Sequence, residues 1–184
     1  PKTGSIAHFG KDKENGTRLA VNEITAAGGV KIGDKVAKFA LVGEDDAGDP
    51  KQGPVVAQKP VDAKVVGVVG HLNSGVSIPA NAVYAKAGLV QISPSSTNPD
   101  YTIKGNKTPK GSVSSYRVVA TDAQQGPALG KYMLGKNAKT VAVLDDATQY
   151  GKGLADQVAK TMEGAGAKVV AREAATDKTT DFKA

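Results

Sequence analysis

The sequence predicts an α/β fold with mostly parallel sheets flanked by helices. Three observations carry that prediction. Short blocks of Val, Ile, Leu and Ala alternate with longer stretches of helical spacing. One block, Val65-Val66-Gly67-Val68-Val69, is β-branched and continuous, the pattern of a strand buried on both faces. Glycines and prolines fall at the junctions, where helix ends and turns need them. Strands alternating with helices build right-handed βαβ units.

The elements follow in order. Residues 13–27 place small or apolar residues at Gly16, Leu19, Ala20, Ile24 and Ala27, then stop at Gly28-Gly29, a helix C-terminus. Residues 36–42 read as a strand. Asp49-Pro50 opens a second helix, with Asp as cap and Pro at the first helical position. That helix is expected to end near Lys59, because Pro60 lacks the N–H to continue it. The strand at 65–69 precedes a helix over 79–87, closed by Gly88, and a strand at 89–92. A polar connection over 93–115 carries Pro94, Pro99, Gly105, Pro109 and Gly111. A loop this long is functional or links domains. Beyond it come a strand at 116–119, a helix over 123–134 and a strand at 140–144. A helix over 151–163, closed by Gly164 and Gly166, and a strand at 168–171 complete the order. The domain boundary is placed near Ala120-Thr121-Asp122, giving units of 1–120 and 121–184. The order opens on a helix with no partner strand before it. Residues 177–184 look like the entry to a further helix, with Asp181 as cap. Both features suggest a piece of a longer protein.

Composition narrows the chemistry. The 184 residues are 40% apolar, enough for a sizeable core, yet only 4% aromatic, so that core is Val, Ala, Ile and Leu. No Cys is present, which excludes disulfides, thiolate metal sites and a Cys nucleophile. The net charge is +6, but the 24 cations are scattered singly, a solvated surface rather than a nucleic-acid face. No stretch approaches the roughly 18 apolar residues of a membrane span. Dinucleotide, P-loop and GxSxG fingerprints are missing, and no nucleophile–base pair is evident. His71 follows a strand and reads as a satisfied structural residue. His8 sits in a polar segment. Glu44, Asp45, Asp46 and Asp49 form an acidic cluster that fits a strand-end turn plus the Asp49 cap better than a Mg²⁺ or Ca²⁺ site. No metal or cofactor is expected.

Parallel sheets bind ligands at the carboxyl ends of their strands, where helix N-termini present free N–H groups. Three such turns stand out: Gly70-His71-Leu72-Asn73-Ser74-Gly75, Ser93-Pro94-Ser95-Ser96-Thr97, and Asp145-Asp146-Ala147-Thr148-Gln149-Tyr150-Gly151. The first two offer small hydroxyls on adjacent strands, suited to a carboxylate or other small anion. Ordinary helix capping accounts for the same residues.

At these turns the chain resembles the periplasmic branched-chain amino acid-binding proteins, the solute receptors of ABC importers. The likeness is carried by Glu44-Asp45-Asp46-Ala47-Gly48-Asp49-Pro50, by 65–75 and by Gln91-Ile92-Ser93-Pro94-Ser95-Ser96-Thr97-Asn98-Pro99. Arg117 to Ala128 and Asp145 to Ala155 extend it. Members have two α/β lobes joined by hinge strands that close on an amino acid. The resemblance implies a first lobe at 1–120 without its opening strand and the start of a second at 121–184. It implies a periplasmic receptor without catalysis that serves a membrane permease and is a monomer at full length. By resemblance, the Ser74 hydroxyl donates to the ligand carboxylate, and Thr97 shares that task through its N–H and hydroxyl. The Ser95 carbonyl accepts from the ligand ammonium, and Ser96 lines the same turn. Phe9 lies beside the ligand side chain, and Tyr150 closes over it from the second lobe. The chain departs from the family pattern at Pro60, at Lys2 and in a longer 105–115 loop. Two competitors stay open. One is a same-fold receptor or sensor for an amide, urea or aromatic acid; the other is an α/β enzyme acting on a small anion.

Overall fold

The computed structural model describes residues 1–182. Its elements are α1 (Ala7–Ala26), β1 (Val30–Ile32), β2 (Lys35–Ala37), α2 (Gln52–Asp62), β3 (Val68–Val69) and α3 (Ser74–Ala87). Then follow β4 (Gln91–Ser93), β5 (Ser115–Arg117), α4 (Asp122–Gly135), β6 (Thr140–Asp145), α5 (Gln149–Gly164) and β7 (Lys168–Ala174). β3, β4 and β5 form a parallel sheet with β4 in the middle. β6 and β7 form a second parallel pair, joined by α5. β1 and β2 are an antiparallel hairpin.

The helix ends obey local chemistry. Gly28 and Gly29 take φ of +97° and +96°, and the Gly29 N–H reaches back to the Ile24 carbonyl at 2.8 Å. Gly88 takes φ +72° past α3, and the Leu89 N–H returns to the Tyr84 carbonyl at 2.9 Å. Thr121 precedes α4, and its N–H donates to Gln124 Oε1 at 3.2 Å, the reach-back half of a capping box.

Three expectations are corrected. The run 36–42 is not one strand. Gly33-Asp34 turns the chain so that Lys35–Ala37 pairs back on Val30–Ile32, and residues 39–42 join no ladder among the described residues. Second, α2 does not stop at Lys59. Pro60 lies inside its last turn, where one bond is lost, and the helix still closes through Ala63 N–H to Lys59 O at 2.9 Å. Third, 65–69 is not buried on both faces. Val65 and Val68 pack on a core of Ala57, Ala80, Tyr84 and Leu89, whereas Val66 is 83% exposed. Helices α2 and α3 cover one face of that sheet, and no described element covers Val66. The long connection after β4 also holds structure: a 3-10 turn at Pro99–Thr102 and a short bridge between Lys107 and Val113. The helix expected after Asp181 lies outside the described residues.

α4 and α5 pack closely because glycine leaves room for the facing helix. A Cβ added at Gly126 would come within 2.3 Å of Gln157 Cβ, and one at Gly130 within 2.8 Å of Thr161 Cγ2. Ala155, Val158, Ala159 and Met162 then bury beneath α5.

Candidate functional site

The site begins where β3 and β4 end. A parallel pair brings the two following turns side by side, because Val69 registers with Ile92. α3 then starts at Ser74 with no side-chain cap from Asn73, which leaves its first N–H groups, at the positive end of its dipole, without a capping side chain.

Hydroxyls knit the two turns together. Ser93 Oγ donates to the His71 carbonyl at 2.7 Å and accepts from Ser96 N–H at 2.9 Å and Ser95 N–H at 3.3 Å. Ser77 and Ser96 share a hydroxyl pair at 2.6 Å. Ser95 Oγ donates to the Leu72 carbonyl at 2.6 Å. Ser74 Oγ accepts from Asn98 N–H at 3.2 Å. Ser74, Ser77, Ser93 and Ser96 are all buried. Arg117 braces the same turn, donating to the Ser96 carbonyl at 2.8 Å and Thr102 Oγ1 at 2.8 Å, with its guanidinium over the Tyr101 ring. Burial lowers the Arg117 pKa against the nearby Tyr101 and Asp122, which raise it.

Four side chains among the described residues break this pattern of satisfaction, Asn73 through Oδ1 and Gln91 through Oε1 being two of them. Thr97 Oγ1 is buried without a hydrogen-bond partner among the described residues, and so are both carboxylate oxygens of Asp122. They are neighbours. Asp122 N–H donates to the Thr97 carbonyl at 2.9 Å, and the Thr97 hydroxyl faces the Asp122 carboxyl without meeting hydrogen-bond geometry. Burial pushes the Asp122 carboxyl above its ordinary value, opposed by Thr97 and the Arg117 charge. Buried polar groups are almost always paired, so an orphaned hydroxyl and carboxylate side by side mark a place for an incoming donor.

Ser74, Ser95, Ser96 and Thr97 therefore share one cluster. Phe9 and Tyr150 stand apart. Phe9 is exposed on α1, its ring 4.1 Å from that of His8. The Tyr150 hydroxyl accepts from Gln125 Nε2 at 3.5 Å. The start of α5, which carries Tyr150, nevertheless docks on the cluster: Asn98 Nδ2 donates to the Gln149 carbonyl at 3.0 Å. Lys13, Ser77, Ser93, Arg117 and Asp122 were missed as site residues in the sequence. Ser93 stood in a turn singled out for its hydroxyls and Arg117 and Asp122 in a block that carried the resemblance, whereas Lys13 carried no signal.

The remaining polar residues have structural partners. His71 uses both ring nitrogens, with Nδ1 2.5 Å from Asp46 Oδ2 and Nε2 3.0 Å from the Tyr84 hydroxyl. The acidic cluster disperses: Glu44 pairs with Lys59, Asp45 accepts from Thr3 Oγ1 and Ala47 N–H, and Asp49 accepts from Lys51 N–H. Among the described residues no group of three His, Asp or Glu is placed to hold a metal ion, and no helix is long and apolar enough to cross a membrane. Two clefts lie away from the turns after β3 and β4, the second lined in part by Asp145, Asp146 and Gly151 of the turn after β6. One of about 430 Å³ runs between α3 and 103–109, and one of about 320 Å³ lies among α4, α5 and β6.

Residues 1–184 match the periplasmic binding protein family. The Leu/Ile/Val-binding protein homolog 1 of Brucella abortus is 41% identical over 186 residues, covering 100% of this chain and 47% of that protein. A leucine-, isoleucine-, valine-, threonine- and alanine-binding protein of Pseudomonas aeruginosa is 40% identical over 185 residues, with the same coverages. The branched-chain amino acid transporter substrate-binding protein of Streptococcus pneumoniae, solved with isoleucine, is 32% identical and superposes with a TM-score of 0.81 over 99% of this chain and 49% of its own. The chain spans about half the length of the curated relatives it matches. With the whole sequence matched, the chain belongs to the periplasmic binding protein family.

Proposed function

We propose that this chain forms the first lobe, residues 1–120, and the start of the second, 121–184, of a periplasmic receptor. The receptor binds an aliphatic, branched-chain L-amino acid between its lobes and delivers it to the permease of an ABC importer, without chemical turnover. The observation that carries the reading is the unpartnered Thr97 hydroxyl beside the uncapped start of α3. An amino-acid carboxylate needs donors, and the α3 N–H groups, Ser74 and Thr97 supply them on neighbouring turns. Its ammonium needs acceptors, which the Ser95 carbonyl, the Thr97 hydroxyl and the Asp122 carboxylate supply. Burying either charge unpaired costs several kcal/mol, so the orphaned groups and the ligand satisfy each other. Phe9 and Tyr150, exposed on α1 and α5, are the apolar contacts for the ligand side chain once the lobes close. The relatives named for leucine, isoleucine and valine support the ligand class.

Calorimetric titration of the full-length receptor with leucine, isoleucine and valine tests this. We expect saturable binding to at least one, weakened by about 1–3 kcal/mol in Thr97→Ala, because a charged ligand group loses its partner. Absence of binding to every neutral amino acid overturns the function. Unchanged affinity in Thr97→Ala removes that residue from the site.

A further inference from the structure

We propose that Asn98 is a positioning residue that locks the start of α5 against the turn after β4, so that its side-chain amide holds the second lobe in place and slows ligand release. The inference rests on the function proposed above and assigns a residue outside the ligand contacts named there.

Asn98 follows Thr97 and is buried. Every polar group it carries is used. Its N–H donates to Ser74 Oγ at 3.2 Å, at the start of α3. Its carbonyl accepts from Tyr101 N–H at 3.1 Å. Its Oδ1 accepts from Asp100 N–H at 2.9 Å, capping the 3-10 turn. Its Nδ2 donates to the Gln149 carbonyl at 3.0 Å. Only this orientation of the amide works, because the reverse sets oxygen against the Gln149 carbonyl and nitrogen against the Asp100 N–H.

The surroundings are shaped for that donor. Gln149 opens α5, and Gly153 lies one turn on. A helical Cβ tilts back over the preceding turn, so a side chain at 153 would crowd the approach to the Gln149 carbonyl. A Cβ added at Gly153 would come within 2.7 Å of Asn98 Nδ2. From the α3 side, a Cβ added at Gly75 would come within 3.3 Å of Gln149 Cβ. Glycine weakens a helix, so local propensity asks for neither residue. Both clear the same contact, one from each side. The Thr97 carbonyl, one residue earlier, holds Asp122 N–H at the start of α4 at 2.9 Å. Consecutive residues of one turn therefore hold the starts of both second-lobe helices. The α4 bond sits beside the covalent crossing from β5 to α4. The start of α5 is joined to the first lobe only through α4 and β6, so the Asn98 bond is the one that parts when the lobes open. Gln149 is also the neighbour of Tyr150, and a bond on its carbonyl fixes where that ring stands.

The test separates capping from locking, because Asn98→Asp keeps the Oδ1 acceptor for Asp100 N–H and loses the donor. Spin labels go on cysteines placed at the exposed Val55 of α2 and Tyr132 of α4, in a stretch that has no Cys of its own. Inter-label distances and leucine release are measured on the full-length receptor. Asn98→Asp is expected to broaden the distance distribution and to speed leucine release roughly tenfold, the loss of one buried hydrogen bond. Gly153→Ala should reproduce both effects by displacing the amide, add nothing to Asn98→Asp, and decide the matter if the Asp variant does not fold. Wild-type distances and release in Asn98→Asp, or additive effects of the two substitutions, overturn the lock while leaving the receptor function standing. Broadened distances in Asn98→Asp together with a wild type that binds no leucine keep the lock and overturn the function.

Discussion

The turns after β4 and β6 have the same place in the fold, each between a parallel strand and a helix, but they are built differently. After β4, Ser93 and Ser96 bond to residues of the preceding turn, 22 and 25 positions away, and are buried. After β6, the Asp and Thr side chains of the turn bond locally. Asp145 Oδ1 accepts from Ala147 N–H at 2.8 Å, Asp146 Oδ1 from Thr148 N–H at 3.0 Å, and Thr148 Oγ1 from Gly151 N–H at 2.9 Å. The side chains that shape the second turn bond within it, although Asn98 also donates to its Gln149 carbonyl. The first exists only when two strands and α3 are already assembled. A binding surface made the first way is preorganised, because its donors are held by tertiary packing before a ligand arrives.

The sharpest way to break that contrast is acid. Burial pushes Asp46 upward, but hydrogen bonds from His71 and Gly48 N–H oppose it and the carboxyl lies below the usual range. A depressed carboxylate stabilises above its unfolded pKa of about 3.9 and loses that contribution as pH falls through its folded value. Thermal melts should therefore drop steeply below about pH 4. Asp46→Ala should cost about 4 kcal/mol at neutral pH, by stranding His71, and flatten the drop. A variant that melts like the parent at every pH would show that the His71 turn does not depend on Asp46.

The next contrast compares hydroxyl with hydroxyl. Ser93→Ala strands the Ser95 and Ser96 N–H groups and should cost about 3 kcal/mol in urea unfolding. Thr148→Ala removes a helix cap and should cost about 1 kcal/mol. Equal losses would mean that the two turns are held alike. The smallest effect has the opposite sign. Asp122→Asn removes an unpaired buried charge and should raise stability by about 1 kcal/mol at pH 7 while weakening leucine binding. Because burial raises the Asp122 pKa, the parent loses stability as pH rises from the unfolded carboxylate range through the folded value. The variant should lose that slope. A destabilised variant would place a hidden partner on Asp122.

Much of the fold was legible because it rests on short-range rules. Gly28-Gly29 and Gly88 ended helices where φ must turn positive. The strands at 140–144 and 168–171 paired in parallel through α5. Errors arose where pairing decided the outcome. Residues 36–42 are apolar apart from Lys38, and the Gly33-Asp34 turn pairs only Lys35–Ala37 back on β1. Val66 looked as buried as Val68, since composition cannot say how many faces of a sheet are covered.

The sequence alone determined which residues end helices, which blocks extend, and that Ser74 and Ser95-Ser96-Thr97 follow successive strands. These are matters of local backbone geometry and nearest-neighbour hydrogen bonding. The tertiary structure alone decided that Lys13 reaches Ser95, that Arg117 braces the turn, and that Thr97 and Asp122 share a buried space without partners. Those contacts join distant segments, and only the packed sheet, by excluding water, makes an unpaired hydroxyl and carboxylate costly enough to mark a site.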